Sequence, residues 1–285
     1  MAEWRFVSGS SAAIDAAAWA TIASLGLSLL MLLYTLELRV QRSMRERRRA
    51  RITARWRTVI AAAVAGTEVQ LSPLPKRERA EFLRLWNVTR NMIEGAAADR
   101  LIDLARRLDL VEFVRRDARS GTFGARLAAM QALGHLRDAD SFAELVAAVD
   151  EDHVMVSITA AEALAEIDPA RAIDVLIPRI LERRDWPRTH VFRLLQKAGG
   201  AAVSEPLFRY IRAASDADAA YLLQFVEIAE FDVRDAIVDE MLRSRQDPNL
   251  IAAALKVASG YGKVPRLAEL ASHPAWYVRM QVARL

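Results

Sequence analysis

The chain has 285 residues, enough for one large domain or two modest ones, and 53% of them are hydrophobic. Its lack of cysteine excludes disulfide frameworks, thiolate metal sites and cysteine nucleophiles, while only 11 glycines and 9 prolines among abundant Ala, Leu, Arg and Glu favour long helices over a turn-rich β fold. The net charge of +4 is concentrated: residues 39–57 hold nine arginines and one glutamate, a local +8, whereas residues 1–38 and 58–285 carry −2 each, so the large C-terminal part is a poor phosphate-binding surface.

In chain order, the first element is AAAWATIASLGLSLLMLLYTL, residues 16–36, with no charge between Asp15 and Glu37. Twenty-one residues at about 1.5 Å rise each span roughly 30 Å, the thickness of a hydrocarbon core. Trp19 and Tyr34 sit near its ends, where aromatic rings favour the membrane interface. A cleaved signal peptide would have a basic start, a shorter apolar core and a small-x-small site; here the start is neutral to acidic and arginines follow at once. The expectation is a single transmembrane helix over residues 16–38, the alternative being a buried core helix.

Arginine accumulates on the cytoplasmic side of a span. Arg39, Arg42, Arg45, Arg47, Arg48, Arg49 and Arg51 therefore mark the inner membrane surface, with residues 1–15 as a short tail outside and the rest of the chain in the cytoplasm. Each of these cations gains about 1 kcal/mol near anionic lipid, which makes such lipid a candidate partner. Residues 39–66 read as a juxtamembrane helix continuing the span, with Trp56 and Val59 toward the headgroups. Ala20, Ser24 and Ser28, spaced by four, form a small-residue face suited to pairing with a second copy or another membrane helix, although such residues are common in any span.

Residues 67–77, with Pro73 and Pro75, read as a linker, and residues 78–119 as three helical stretches that cap the N-terminal end of a repeat region. The period of that region appears over residues 120–285. Leu133, Leu164, Leu195, Phe225 and Leu255 recur at intervals of 31, 31, 30 and 30, and each is followed three places later by Leu136, Ile167, Ala198, Ile228 or Ala258. Each of these lines precedes a turn and a second apolar run, giving a helix–turn–helix unit of about 30 residues. Asp168-Pro169 and Asp247-Pro248 place a capping acid before a proline at the first helical position. Pro178 falls inside a predicted helix and should bend it. One such hairpin cannot bury its own apolar face, so neighbours must stack into a solenoid.

This pattern resembles the HEAT-like repeat family, particularly its short form, with about five repeats and a partial sixth over residues 120–285. The resemblance implies an all-α fold, a HEAT-like α-solenoid behind the membrane helix. It also implies work through extended contacts with a protein partner. Leu285 falls within the sixth first helix, so a further helix or a partner surface is expected to complete that end.

No constellation for catalysis is evident, and no cofactor is expected. His135, His153, His190 and His273 lie far apart, none beside a Glu or His at ligand spacing, and each reads as solvated or capping. The His-Glu dipeptides through which some HEAT-like enzymes hold iron are absent, and KAGGAAVS lacks the lysine-serine partner of a phosphate loop. Glu151-Asp152 reads as a turn pair without a partner. Arg183, Arg184, Arg212, Arg243 and Arg245 gather toward the ends of successive second helices. They read as cations offsetting helix dipoles or as a groove for an acidic partner. The leading functional expectation is a non-enzymatic, membrane-anchored scaffold, a subunit of a bacterial inner-membrane complex serving transport or polysaccharide synthesis by analogy alone. The alternative is a lipid-responsive or nucleic-acid-tethering module acting through the arginine segment; the near-neutral body argues against nucleic acid.

Overall fold

The computed structural model describes residues 5–67, 71–258 and 264–285. The first four residues, positions 68–70 of the linker and the end of the fifth repeat's first line, at 259–263, lie outside them, as do the side chains of residues 5–18, Ala23 and Arg45. The described residues are helical and contain no strand. Internal contacts divide the chain into two units, residues 1–61 and 62–285.

The described residues of the first unit all belong to one helix. α1 runs Arg5–Ala65, 61 residues without interruption, so the apolar stretch and the arginine segment form a single helix of about 90 Å. Nothing in the sequence stops it sooner: Ala, Leu and Arg dominate, and the first proline is Pro73. Trp56 is buried, 1% exposed, which corrects its expected place among headgroups. The rod ends where Gly66 turns left-handed at φ 78°; Gly66 N–H donates to the Ala63 carbonyl and Thr67 N–H to that of Ala62. This paired arrangement satisfies two of the orphan carbonyls every helix end leaves. Arg100 satisfies another, donating to the Val64 carbonyl at 2.6 and 3.2 Å.

The second unit is a stack of helix pairs. α2 (Arg79–Arg90), α3 (Gly95–Arg107) and α4 (Val111–Ser120) precede the periodic region. The first helices are then α5 (Phe123–Leu136), α7 (Val154–Ile167), α9 (Arg188–Ala198), α11 (Asp216–Leu222, continued as a 3-10 turn over 223–228) and α13 (Pro248–Ala258). Each has its second: α6 (Phe142–Val149), α8 (Pro169–Glu182), α10 (Gly200–Ala213), α12 (Phe231–Ser244) and the four-residue α14 (Leu267–Leu270), with α15 (Trp276–Val282) following. The recurring Leu133, Leu164, Leu195, Phe225 and Leu255 are all buried, so the period marks the core seam. Asp168 and Asp247 cap α8 and α13 as the sequence predicts, accepting from Arg171 N–H at 3.2 Å and Leu250 N–H at 2.9 Å.

Two local solutions position the candidate site. Pro178 does lie inside α8, and by lacking an N–H it frees the Asp174 carbonyl; the Tyr210 hydroxyl of α10 donates to that carbonyl at 3.3 Å. At the end of α5, Arg137 rather than glycine takes the left-handed position, at φ 52°. Arg137 N–H donates to the Gly134 carbonyl and Asp138 N–H to that of Leu133, the same closure as at Gly66. A residue bearing a Cβ is held there at a cost of about 1 kcal/mol.

Candidate functional site

The repeat period itself assembles the most chemically distinctive cluster. His135, Glu166 and Lys197 occupy the same place, two residues after the buried Leu133, Leu164 and Leu195, on α5, α7 and α9. Stacking brings them into one row: His135 Nδ1 lies 2.6 Å from Glu166 Oε2, and Lys197 Nζ meets Glu166 Oε1. Gly134 permits this approach. A Cβ added to it would fall 2.8 Å from Ala163 Cα, so α5 and α7 can touch only where a side chain is missing.

His135 is 2% exposed and packs its ring at 5.9 Å from that of Trp86. This corrects the expectation of a solvated or capping residue. Burial pushes the Glu166 carboxyl up, but the His135 hydrogen bond and the charges of His135 and Lys197 outweigh it and hold the group down to about 2. The carboxylate is thus ionised near neutrality, and Nδ1 must carry the proton it donates. Nε2 of His135, also buried, has no hydrogen-bond partner. A parallel row lies one turn earlier: Glu162 accepts from Arg193 at 2.8 Å and approaches His190 Nδ1 at 3.3 Å, so His190 too is paired. His153 and His273 do cap, accepting from Met155 N–H at 3.2 Å and Ala275 N–H at 3.1 Å.

The first row borders a cleft of about 590 Å³ whose other walls include Arg90, Glu94 and Arg137. A second, of about 320 Å³, shares Glu166 and Lys197 and adds apolar surface from Leu127, Met155 and Ile158. Among the described residues no three His, Asp or Glu side chains group as metal ligands.

The five second-helix arginines all find partners within the chain. Arg184 binds Asp218 at 2.5 Å, Arg212 binds Glu240 at 2.9 Å and Arg243 binds Asp239 at 2.8 Å. Arg183 pairs with Asp185 and donates to the Val149 and Glu151 carbonyls at the end of α6. Arg245 pairs with Asp216 and donates to the Arg212 and Ala214 carbonyls at the end of α10. Arg126 and Arg266 repeat the device on the Ala118 and Leu242 carbonyls, ending α4 and α12. The helix-end reading therefore acquires a specific form: a cation from one repeat caps the second helix of the repeat before it. Glu151, read as an isolated turn acid, is gripped by Arg126 at 2.7 and 3.1 Å.

On α1, Arg39, Arg42, Arg47, Arg48, Arg49 and Arg51 are exposed. Ala20, Ser24 and Ser28 are exposed along one face, the Ser28 hydroxyl donating back to the Ser24 carbonyl at 2.8 Å.

Residues 109–196, from the turn before α4 through most of α9, match the family described as HEAT repeats. No curated protein and no solved structure matches the chain. Over those residues the chain is similar to HEAT repeats.

Proposed function

We propose that this protein is a membrane-anchored scaffold whose HEAT-like solenoid binds a protein partner at the cytoplasmic face of the inner membrane, as a non-enzymatic subunit of a membrane complex. The carrying observation is the apolar stretch of α1. An 18-residue window there has a mean hydropathy of 1.7 and none of its residues is buried. A core helix of a soluble protein would be covered; Trp19, Leu30 and Tyr34 are each more than half exposed. Exposed apolar surface on that scale needs lipid or another chain, and the arginines directly after it support the orientation with residues 1–15 outside. The Ala20, Ser24 and Ser28 face supports close pairing with another helix in lipid. Anionic headgroups beside Arg39 to Arg51 add affinity for the surface.

The test is extraction of the intact chain from its native membrane in lipid-preserving particles. The expected result is resistance to alkaline carbonate and one membrane protein recovered in stoichiometric amount and crosslinked to residues 120–285. Recovery in the soluble fraction would sink the anchor, and a chain that leaves the membrane alone would sink the constitutive subunit.

A further inference from the structure

We propose that the cleft between the α2–α3 turn and the ends of α5 and α7 is the seat for an acidic side chain of a partner peptide, gripped by Arg90 and Arg137. The inference deepens the scaffold reading and rests on it.

Three observations carry the proposal. The first is uncommitted positive charge. Most arginines in the repeats meet an acid or a backbone carbonyl, yet the Arg137 side chain, like those of Arg171, Arg188 and Arg284, has no hydrogen bond or ion pair among the described residues. Arg90 reaches only the Ile93 carbonyl, at 3.3 Å, and its Nε is buried without a partner. One acid on the wall, Glu94, opposes them; the other, Glu166, is neutralised by His135 and Lys197. The second is the backbone beneath Arg137. The left-handed turn ending α5 favours glycine, as at Gly66, so the arginine there, like Asp109 in the same closure after α3, carries backbone strain. Arg266, also left-handed, differs in holding Glu269 and the Leu242 carbonyl. The third is His135, 2% exposed, bordering the cleft with a buried Nε2 that nothing satisfies.

The size and surroundings select the occupant. About 590 Å³ lies in the range that takes a drug-sized ligand, so it admits an acidic side chain together with adjoining residues of its peptide. The adjoining groove sets Leu127, Met155 and Ile158 beside Arg193 and Lys197, a mixture that suits the next residues of a peptide in which acids alternate with aliphatics.

The experiment measures anisotropy of a fluorescein-labelled heptapeptide alternating glutamate and leucine, on the full chain in zwitterionic nanodiscs. Its glutamine–leucine counterpart is the control. Arg90→Gln and Arg137→Gln should each weaken the acidic peptide about tenfold, the loss of one charge-assisted bond. Arg137→Lys should retain most of the affinity. Arg137→Gly should weaken binding as Arg137→Gln does, with an unchanged or higher Tm, because it relaxes the turn while removing the charge. A triple R47Q/R48Q/R49Q variant should bind as the parent does. Affinity that follows the triple variant and ignores Arg90 and Arg137 would overturn the proposal. So would a cleft whose substitutions weaken adhesion to phosphatidylserine vesicles but leave the peptide untouched. Neither result would bear on a stoichiometric membrane partner, so the scaffold reading stands or falls separately.

Discussion

Glu166 is the residue on which the first-helix row depends, because it meets a buried histidine and a lysine at once. Its carboxyl is held down to about 2 from an ordinary 4.5, so in the window between those values the unfolded chain binds more protons. The stabilisation is full above that window and is lost as pH falls through it. Glu166→Gln is expected to destabilise the solenoid by about 1.5–3 kcal/mol at neutral pH, the range for hydrogen bonds to charged groups. It should also flatten part of the acid limb: the drop in Tm between pH 5 and pH 3 should be smaller in the variant. Equal drops would show that the carboxylate contributes nothing particular.

At the scale of the element, Gly134 sets how closely α5 and α7 stack. Gly134→Ala would drive a methyl into the Ala163 backbone, and overpacking of that kind costs about 1–3 kcal/mol. Separation of the helices would loosen His135 from Glu166 as well. The two substitutions should therefore be non-additive in urea unfolding, the double variant costing less than the sum. Strict additivity would mean that helix spacing and the ion pair are independent. The helices themselves were legible in the sequence, since buried leucines at a fixed interval and acid–proline caps report local geometry and one apolar seam. The His135–Glu166 contact was missed because a search for adjacent His-Glu pairs ignores that stacking makes neighbours of residues one period apart. A reading of 135, 166 and 197 in the same column would have found it.

For the whole molecule, the missing cysteines turn orientation into a clean measurement. Single Ser10→Cys and Ser120→Cys variants carry one thiol each on a background of none. With the tail outside and the solenoid in the cytoplasm, a membrane-impermeant maleimide added to intact cells should label Ser10→Cys, and should reach Ser120→Cys only after permeabilisation. The reverse pattern would invert the topology, and labelling of both in intact cells would contradict an inner-membrane anchor.

The one-period pairs also constrain how such a chain can change. In shape the repeats are copies and could be dropped or duplicated like beads on a string. In charge they are not: histidine, glutamate and lysine stand in a fixed order, and each helix reads the one after it. Excision of residues 154–184 would preserve the apolar seam while setting His135 against Lys197, a cation against a potential cation in a buried site. The ion pairs act as a grammar on an otherwise repetitive text, so this solenoid can alter a repeat more readily than it can lose one.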